Sequence, residues 1–157
     1  MRVGVPKEIK AGEYRVGLTP TAVREYVTHG HTVSVQGGAG QEAGYDDAAY
    51  VKAGAEIVDD AAAVFEAAEL IVKVKEPQEA EWMRLKPHHI LFTYLHLAPD
   101  PAQAEGLLKS GCAAIAYETV TDRQGGLPLL APMSEVAGRI AVFSAAASST
   151  ISAPAFT

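Results

Sequence analysis

What most constrains the fold of this chain is an alternation. Six short β-rich runs, Arg2–Val5, Thr32–Gln36, Ala55–Val58, Leu70–Lys75, Ile90–Tyr94 and Ala113–Glu118, are separated by helix-like stretches at Pro20–Thr28, Asp47–Ala53, Ala61–Ala68, Glu79–Leu85 and Pro101–Ser110. Most of the runs are continuously apolar, the pattern of strands covered on both faces. Local signals agree with the helix ends. Thr19 before Pro20 and Asp100 before Pro101 are N-caps followed by proline at the first helical position. Gly30, Gly54 and Gly111 stand where a helix closes on a left-handed residue. The rhythm predicts an α/β fold: a doubly wound, mainly parallel sheet with helices on both faces and right-handed crossovers.

The texture changes after Glu118. Thr121–Gly126 reads as a turn or short hairpin, and Leu127–Pro132 as an extended segment punctuated by proline. Ser134 is expected to N-cap a helix that starts near Glu135 and reads well to about Ala147. Ser148–Pro154 has weak helix propensity and is expected to fray. Residues 1–132 are therefore expected to form one domain of Rossmann-like type, and 133–157 a linking helix with a divergent tail.

Bulk properties exclude several function classes. The net charge of −6 comes without a cluster of Lys and Arg, which argues against a nucleic-acid groove. The single cysteine, Cys112, excludes an internal disulfide framework and a multi-cysteine metal site. It begins an apolar run with no basic neighbour and reads as a buried, inert thiol. No run is long and apolar enough to span a membrane. The first residues enter a strand without a signal-peptide pattern, so a cytoplasmic location is the default expectation.

One motif invites a wrong reading. Gly37–Gly44 contains Gly37, Gly38, Gly40 and Gly44 after the second strand and looks like a dinucleotide fingerprint. From Gly38 the spacing is one residue too long, and the next helix is expected to begin later, capped by Asp46. In a true fingerprint the glycines open the helix, so that its N–H groups face a pyrophosphate. These glycines are expected to form a structural turn.

Three residues stand where chemistry is favoured, beyond the carboxyl ends of strands in an open parallel sheet. Arg15 lies between the first strand and the first helix. Its planar fork suits a carboxylate, although on position alone a surface pair with Glu13 or Glu8 is the stronger reading. Lys75 ends the fourth strand, where it can donate to a carbonyl oxygen or simply be solvated. His96 follows the fifth strand. A histidine titrates near physiological pH and suits general acid–base work, but on position alone one between Leu95 and Leu97 reads rather as a packed, hydrogen-bonded histidine. His88-His89 and His29-Gly30-His31 lack metal-ligand spacing and read as loop residues, with no metal expected. Asp46-Asp47 and Asp59-Asp60 read as helix N-termini, and Trp82 and Met83 as packing residues.

Taken in order, the blocks Met1–Glu8, Glu13–Val16, Gly30–Val33, Gly38–Gly40, Val72–Pro77, Ile90–Ala98, Ala116–Val120 and Leu127–Arg139 resemble the N-terminal part of bacterial L-alanine dehydrogenase. The relative to separate it from is the transhydrogenase α-subunit. Lys75-Glu76-Pro77 with Leu95-His96-Leu97, and Ala131–Gly138, favour alanine dehydrogenase. The resemblance implies an oxidoreductase that interconverts L-alanine with pyruvate and ammonia using NAD. Carried onto this sequence, Arg15 would hold the substrate carboxylate, Lys75 would polarise the carbonyl oxygen, and His96 would move protons. Met133 and Ser134 would border the nicotinamide, and Glu118 would lie at a strand end near the same edge.

From about Val142 the sequence departs from that family's pattern. The family's nucleotide-binding domain, its catalytic aspartate and its return segment are not among these residues. A frameshift, a truncated gene or an engineered fragment would each give this pattern. The expectation is a substrate half that has no turnover alone, holds no NAD stably, and exposes apolar sheet surface that favours a homo-oligomer. Two alternatives remain: a stand-alone binding module for pyruvate or a similar keto acid, and a folded relic without a ligand.

Overall fold

The computed structural model describes residues 1–151. It divides into two compact units, one from Met1 to Ala116 and one that starts at Tyr117. The first unit holds β1 (Arg2–Val5), α1 (Pro20–Thr28), β2 (Thr32–Gln36), α2 (Asp47–Lys52), β3 (Glu56–Val58), α3 (Ala61–Ala67), β4 (Leu70–Val72), α4 (Glu79–Trp82), β5 (Ile90–Thr93), α5 (Pro101–Ser110) and β6 (Ala113–Ala116). All six strands join one sheet in the order β3-β2-β1-β4-β5-β6, and every pair is parallel. This is the doubly wound α/β fold expected from the alternation. Its order reverses between β1 and β4, and that reversal marks the crevice where such sheets take ligands.

The central strands β2, β1, β4 and β5 are covered on both faces, which explains their apolar runs. Val3, Val5, Val33, Val35 and Val72 pack with Val23, Leu18 and Tyr50 in one buried cluster. Ile71 and Leu91 pack with Phe65, Leu85, Leu95 and Leu107 in the other. Gly4 admits α3 to the sheet: a Cβ there would lie 2.8 Å from both the Ala68 Cβ and the Val64 Cγ1. The caps hold as read. Thr19, Asp46, Asp60 and Asp100 accept from the N–H groups of Ala22, Ala49, Ala63 and Gln103. Gly30, Gly54 and Gly111 all have positive φ.

The Gly37–Gly44 segment is a turn, not a cradle. A 3₁₀ turn occupies Gln41–Ala43, and the α-helix waits until Asp47. The Asp47 carboxylate takes the Gly38 N–H at 2.9 Å. Gly40 is needed for contact, since a Cβ would sit 2.6 Å from the Tyr50 ring. The Tyr50 hydroxyl donates to the Leu18 carbonyl at 2.9 Å, and burial pushes its pKa up to about 12.

Several boundaries are corrected. The strand ladder of β4 ends at Val72 rather than Lys75, because the chain bends away toward α4, although Lys73 and Val74 still bond to β5. Residues Tyr117–Thr119 form a 3₁₀ turn, so Glu118 lies beyond a strand end, not on it. His89 lies in the loop before β5 as read, but its side chain is buried. Met83 is 75% exposed and packs little, whereas Trp82 packs against the second cluster. Cys112 is half-buried against that cluster.

In the second unit, Asp122 closes a turn by accepting from Gln124 and Gly126. The final helix, α6, runs Ala131–Ile151. It starts four residues before the expected Glu135 because Leu127 O already accepts from Ala131 N. Ser134 is therefore inside the helix, its hydroxyl reaching back to Leu130 O at 3.4 Å, and Pro132 fits the first turn, where an N–H is not needed. The helix also continues past Ala147 through Ser148–Thr150. The expected fraying at Ser152–Pro154 lies outside the described residues. No helix among the described residues is long and apolar enough to cross a membrane.

Candidate functional site

The loop between β1 and α1 carries Arg15, and the chain leaving β4 carries Lys75. These are the two strands that flank the reversal of strand order. The loop is pinned to the β4 exit at three places. Glu8 accepts the Val74 N–H at 2.7 Å and pairs with the fully buried Lys73 ammonium at 3.0 Å. Lys10 pairs with Glu76. Gly17 lies so close to β4 that a Cβ would be 2.4 Å from the Val72 carbonyl oxygen. The loop carrying Arg15 and the strand end carrying Lys75 thus behave as one piece.

Glu13 shapes Arg15. Its carboxylate accepts from the Arg15 Nε at 2.8 Å, from an Nη at 2.6 Å and from the Arg15 backbone N–H at 2.9 Å. The Arg15 hydrogen bonds, outweighing burial and aided by Lys75, hold the Glu13 carboxyl below the usual range. The same bond to Glu13 raises the Arg15 pKa, with help from Tyr94 and Glu8. Arg15, Lys75, Glu13 and Tyr94 therefore share one electrostatic neighbourhood. The surface pair with Glu13 exists, and it sits inside this neighbourhood rather than apart from it.

A buried triad underlies the site. Lys73 lies 3.0 Å from Glu8 and 2.7 Å from Glu81, with all three side chains nearly inaccessible. Two carboxylates around one ammonium leave a surplus of negative charge. Burial accordingly pushes the Glu81 pKa up despite Lys73. Lys75 stands two residues beyond Lys73, and the Thr93 hydroxyl donates to the Lys75 carbonyl at 2.8 Å.

His96 leaves the neighbouring strand. Tyr94 N donates to Val74 O, so Lys75 and His96 follow paired positions on adjacent strands, whose spacing is about 4.8 Å. His96 is exposed and has φ +46°, the left-handed region, alone among the described non-glycine residues. The structure thus brings Arg15, Lys75 and His96 to one edge of one sheet. Glu118, Met133 and Ser134 belong to the second unit. Glu118 sits in its 3₁₀ turn, and the other two lie on the first turn of α6, with Met133 39% exposed.

Glu8 and Glu13 enter the sequence reading only as candidate partners of Arg15, and Lys73, Glu81, Thr93 and Gln103 do not enter it as site residues. One signal was present: Lys73 is a charged residue in an apolar strand run, and such a residue needs buried partners. No group of three or more His, Cys, Asp or Glu suited to a metal occurs among the described residues. Nor do the loops after β1 and β2 offer a pyrophosphate cradle. The β1–α1 loop has no glycine fingerprint, and the Gly38 N–H is already taken by Asp47.

Comparison with known proteins agrees with this geometry. The chain is 57% identical over 142 residues to alanine dehydrogenase of Halomonas elongata, covering 90% of this chain and 38% of that protein. It is 51% identical over 141 residues to alanine dehydrogenase of Bacillus subtilis, covering 90% and 37%. A solved L-alanine dehydrogenase superposes with a TM-score of 0.85 at 50% identity, over 89% of this chain and 38% of the other. A transhydrogenase from Sinorhizobium meliloti superposes at 0.72 with 25% identity, over 78% and 36%. The chain spans about 38% of the length of its alanine dehydrogenase relatives. Residues 4–137 match the model of the alanine dehydrogenase/PNT N-terminal domain, and the chain belongs to that family.

Proposed function

We propose that this chain forms the substrate side of an alanine dehydrogenase cleft and binds pyruvate, or L-alanine, at the β1/β4 reversal. The observation that supports it is the joint placement of Arg15 and Lys75 on the two strands flanking that reversal, with His96 on the next strand. In this reading Arg15 takes the carboxylate through N–H groups oriented by Glu13. The Lys75 ammonium donates to the carbonyl oxygen and draws electron density from the carbon that ammonia would attack. His96 moves protons as that addition forms and collapses. Pyruvate is small and anionic, so one guanidinium and one ammonium suffice to orient it. Glu118 is a further candidate for the substrate side, and Met133 and Ser134 for the nicotinamide side.

NAD supplies the hydride in this chemistry. The described residues do not form its pyrophosphate site, so residues 1–157 alone are proposed to bind substrate without turning it over. We also propose self-association in the cytoplasm. The β6 edge supports it, since Ala113, Ala114 and Ile115 are exposed there.

Calorimetry with pyruvate tests the central reading. Wild type should bind, and Arg15→Ala should weaken binding about 10- to 100-fold, as for loss of a charge-assisted bond worth about 1.5–3 kcal/mol. Equal heats for wild type and Arg15→Ala would refute it. NADH oxidation with pyruvate and ammonium should not exceed that of Lys75→Ala, and sedimentation should show a species larger than the monomer.

A further inference from the structure

We propose that Gln103 is a positioning residue that holds His96 in its left-handed backbone conformation and so sets where the imidazole stands. The consequence for proton transfer rests on the functional reading above; the conformational claim does not. A residue with a Cβ at φ +46° crowds its following carbonyl, and surrounding structure has to hold it there.

Gln103 on α5 is placed to do so. Its Nε2 donates to the Leu95 carbonyl at 2.8 Å. That carbonyl and the His96 nitrogen belong to the same planar peptide unit. Fixing the plane fixes the bond about which the φ of His96 turns. The Gln103 side chain is 0% exposed, and its Oε1 has no hydrogen-bond partner. An apolar side chain would fill the same space without stranding a buried carbonyl oxygen. What the amide adds is the donor bond to Leu95.

The connection between the two residues is itself fixed. Asp100 N donates to Leu97 O at 3.1 Å, closing a turn just after His96. The Asp100 carboxylate then caps α5 by accepting the Gln103 N–H at 3.0 Å. Chain leaving His96 is therefore folded straight back, and the first turn of α5 returns the Gln103 amide to the residue before His96. The loop is closed by three hydrogen bonds and contains the strained residue.

The test is nuclear magnetic resonance on the isotopically labelled 157-residue chain. The His96 HN–Hα coupling and its Cα and Cβ shifts report φ. Wild type should show the left-handed signature. Gln103→Leu should lose it while β1 and β2 amide shifts stay in place; retention of the signature in that folded variant would overturn the proposal. Gln103→Glu serves if Gln103→Leu fails to fold. Its carboxyl can donate to Leu95 only when protonated, so the His96 signature should appear in acid and vanish as the carboxyl ionises. A pH-independent signature there would also overturn the proposal. In wild type, pyruvate should shift the Arg15, Lys75 and His96 resonances, and Gln103→Leu should remove the His96 shift while keeping those of Arg15 and Lys75. Absence of every pyruvate shift would refute the functional reading while leaving the conformational result intact.

Discussion

Gly17→Ala is the sharpest perturbation of the candidate site. A Cβ at Gly17 would lie 2.4 Å from the Val72 carbonyl oxygen, 2.8 Å from its carbon and 3.1 Å from the Lys73 nitrogen. All three atoms are backbone at the end of β4, so no side chain can rotate away. Ordinary contact begins at 3.4 Å, and the loop must retreat by about 1 Å, an overpacking that costs about 1–3 kcal/mol. Arg15 lies two residues away and has to move with the loop, while Lys75 stays with β4. A charge-assisted bond is worth about 1.5–3 kcal/mol, and losing about half of one weakens pyruvate binding about 4- to 12-fold. Gly12→Ala is the control. Gly12 has φ +80° with nothing within 4 Å, so alanine there strains the backbone, at about 1–2 kcal/mol, without pushing the loop off β4. Urea denaturation and pyruvate calorimetry on folded protein separate the two. Both variants should lose stability, and only Gly17→Ala should lose affinity. A Gly17→Ala protein with wild-type midpoint and affinity would show that the close approach does not position Arg15.

Other expectations concern buried charge. Lys73→Met leaves Glu8 and Glu81 buried without their cation and should destabilise the fold by about 3–5 kcal/mol, read as a fall in the urea midpoint. Adding Glu8→Gln should recover part of the loss, and no recovery would count against a charge effect. Glu81 has a raised folded pKa, so its native state prefers the proton. Its contribution to stability should be greatest below about 4.5 and decline as pH rises through the folded value; Glu81→Gln should remove that decline. His89 behaves in the opposite sense. Its Nδ1 accepts from Lys86 N, its Nε2 faces the Phe65 carbonyl, and burial lowers its pKa. Unfolded chains take up the proton first, so stability should fall as pH drops below about 6.5. His89→Gln, which can both accept and donate, should flatten that slope in denaturation curves; an unchanged slope would place its origin elsewhere.

What the sequence made legible follows from the range of the interactions. Caps at Thr19, Asp46, Asp60 and Asp100 depend on residues three apart and were readable, as was the late start of α2 that demotes the Gly37–Gly44 motif. A strand covered on both faces carries that cover in its own continuous apolar run, so the fold class was readable too. Element ends were less so. The start of α6 at Ala131 was masked by Pro132, which reads as a breaker yet suits a first helical turn. Support for the candidate site was hidden because it is non-local: Lys73 meets Glu8 across 65 residues, and Gly17 meets Val72 only once β1 and β4 are paired. Histidine visits the left-handed region more than most residues with a Cβ, but nothing local selects it at His96, because the Gln103 amide that faces its peptide depends on how α5 packs.

The reversal of strand order has a consequence for assembly. Arg15 belongs to the β1–β3 portion of the chain, and Lys75 and His96 to the β4–β6 portion. The two portions join through the β1–β4 pairing. Neither portion contains the candidate site. On the proposed reading, a ribosome that has released only β1–β3 has made no binding edge, and a chain cut near Asp59 would leave two halves that each ignore pyruvate. Pyruvate binding would then report on the central seam of the sheet: recombined halves should regain it only to the extent that β1 has found β4.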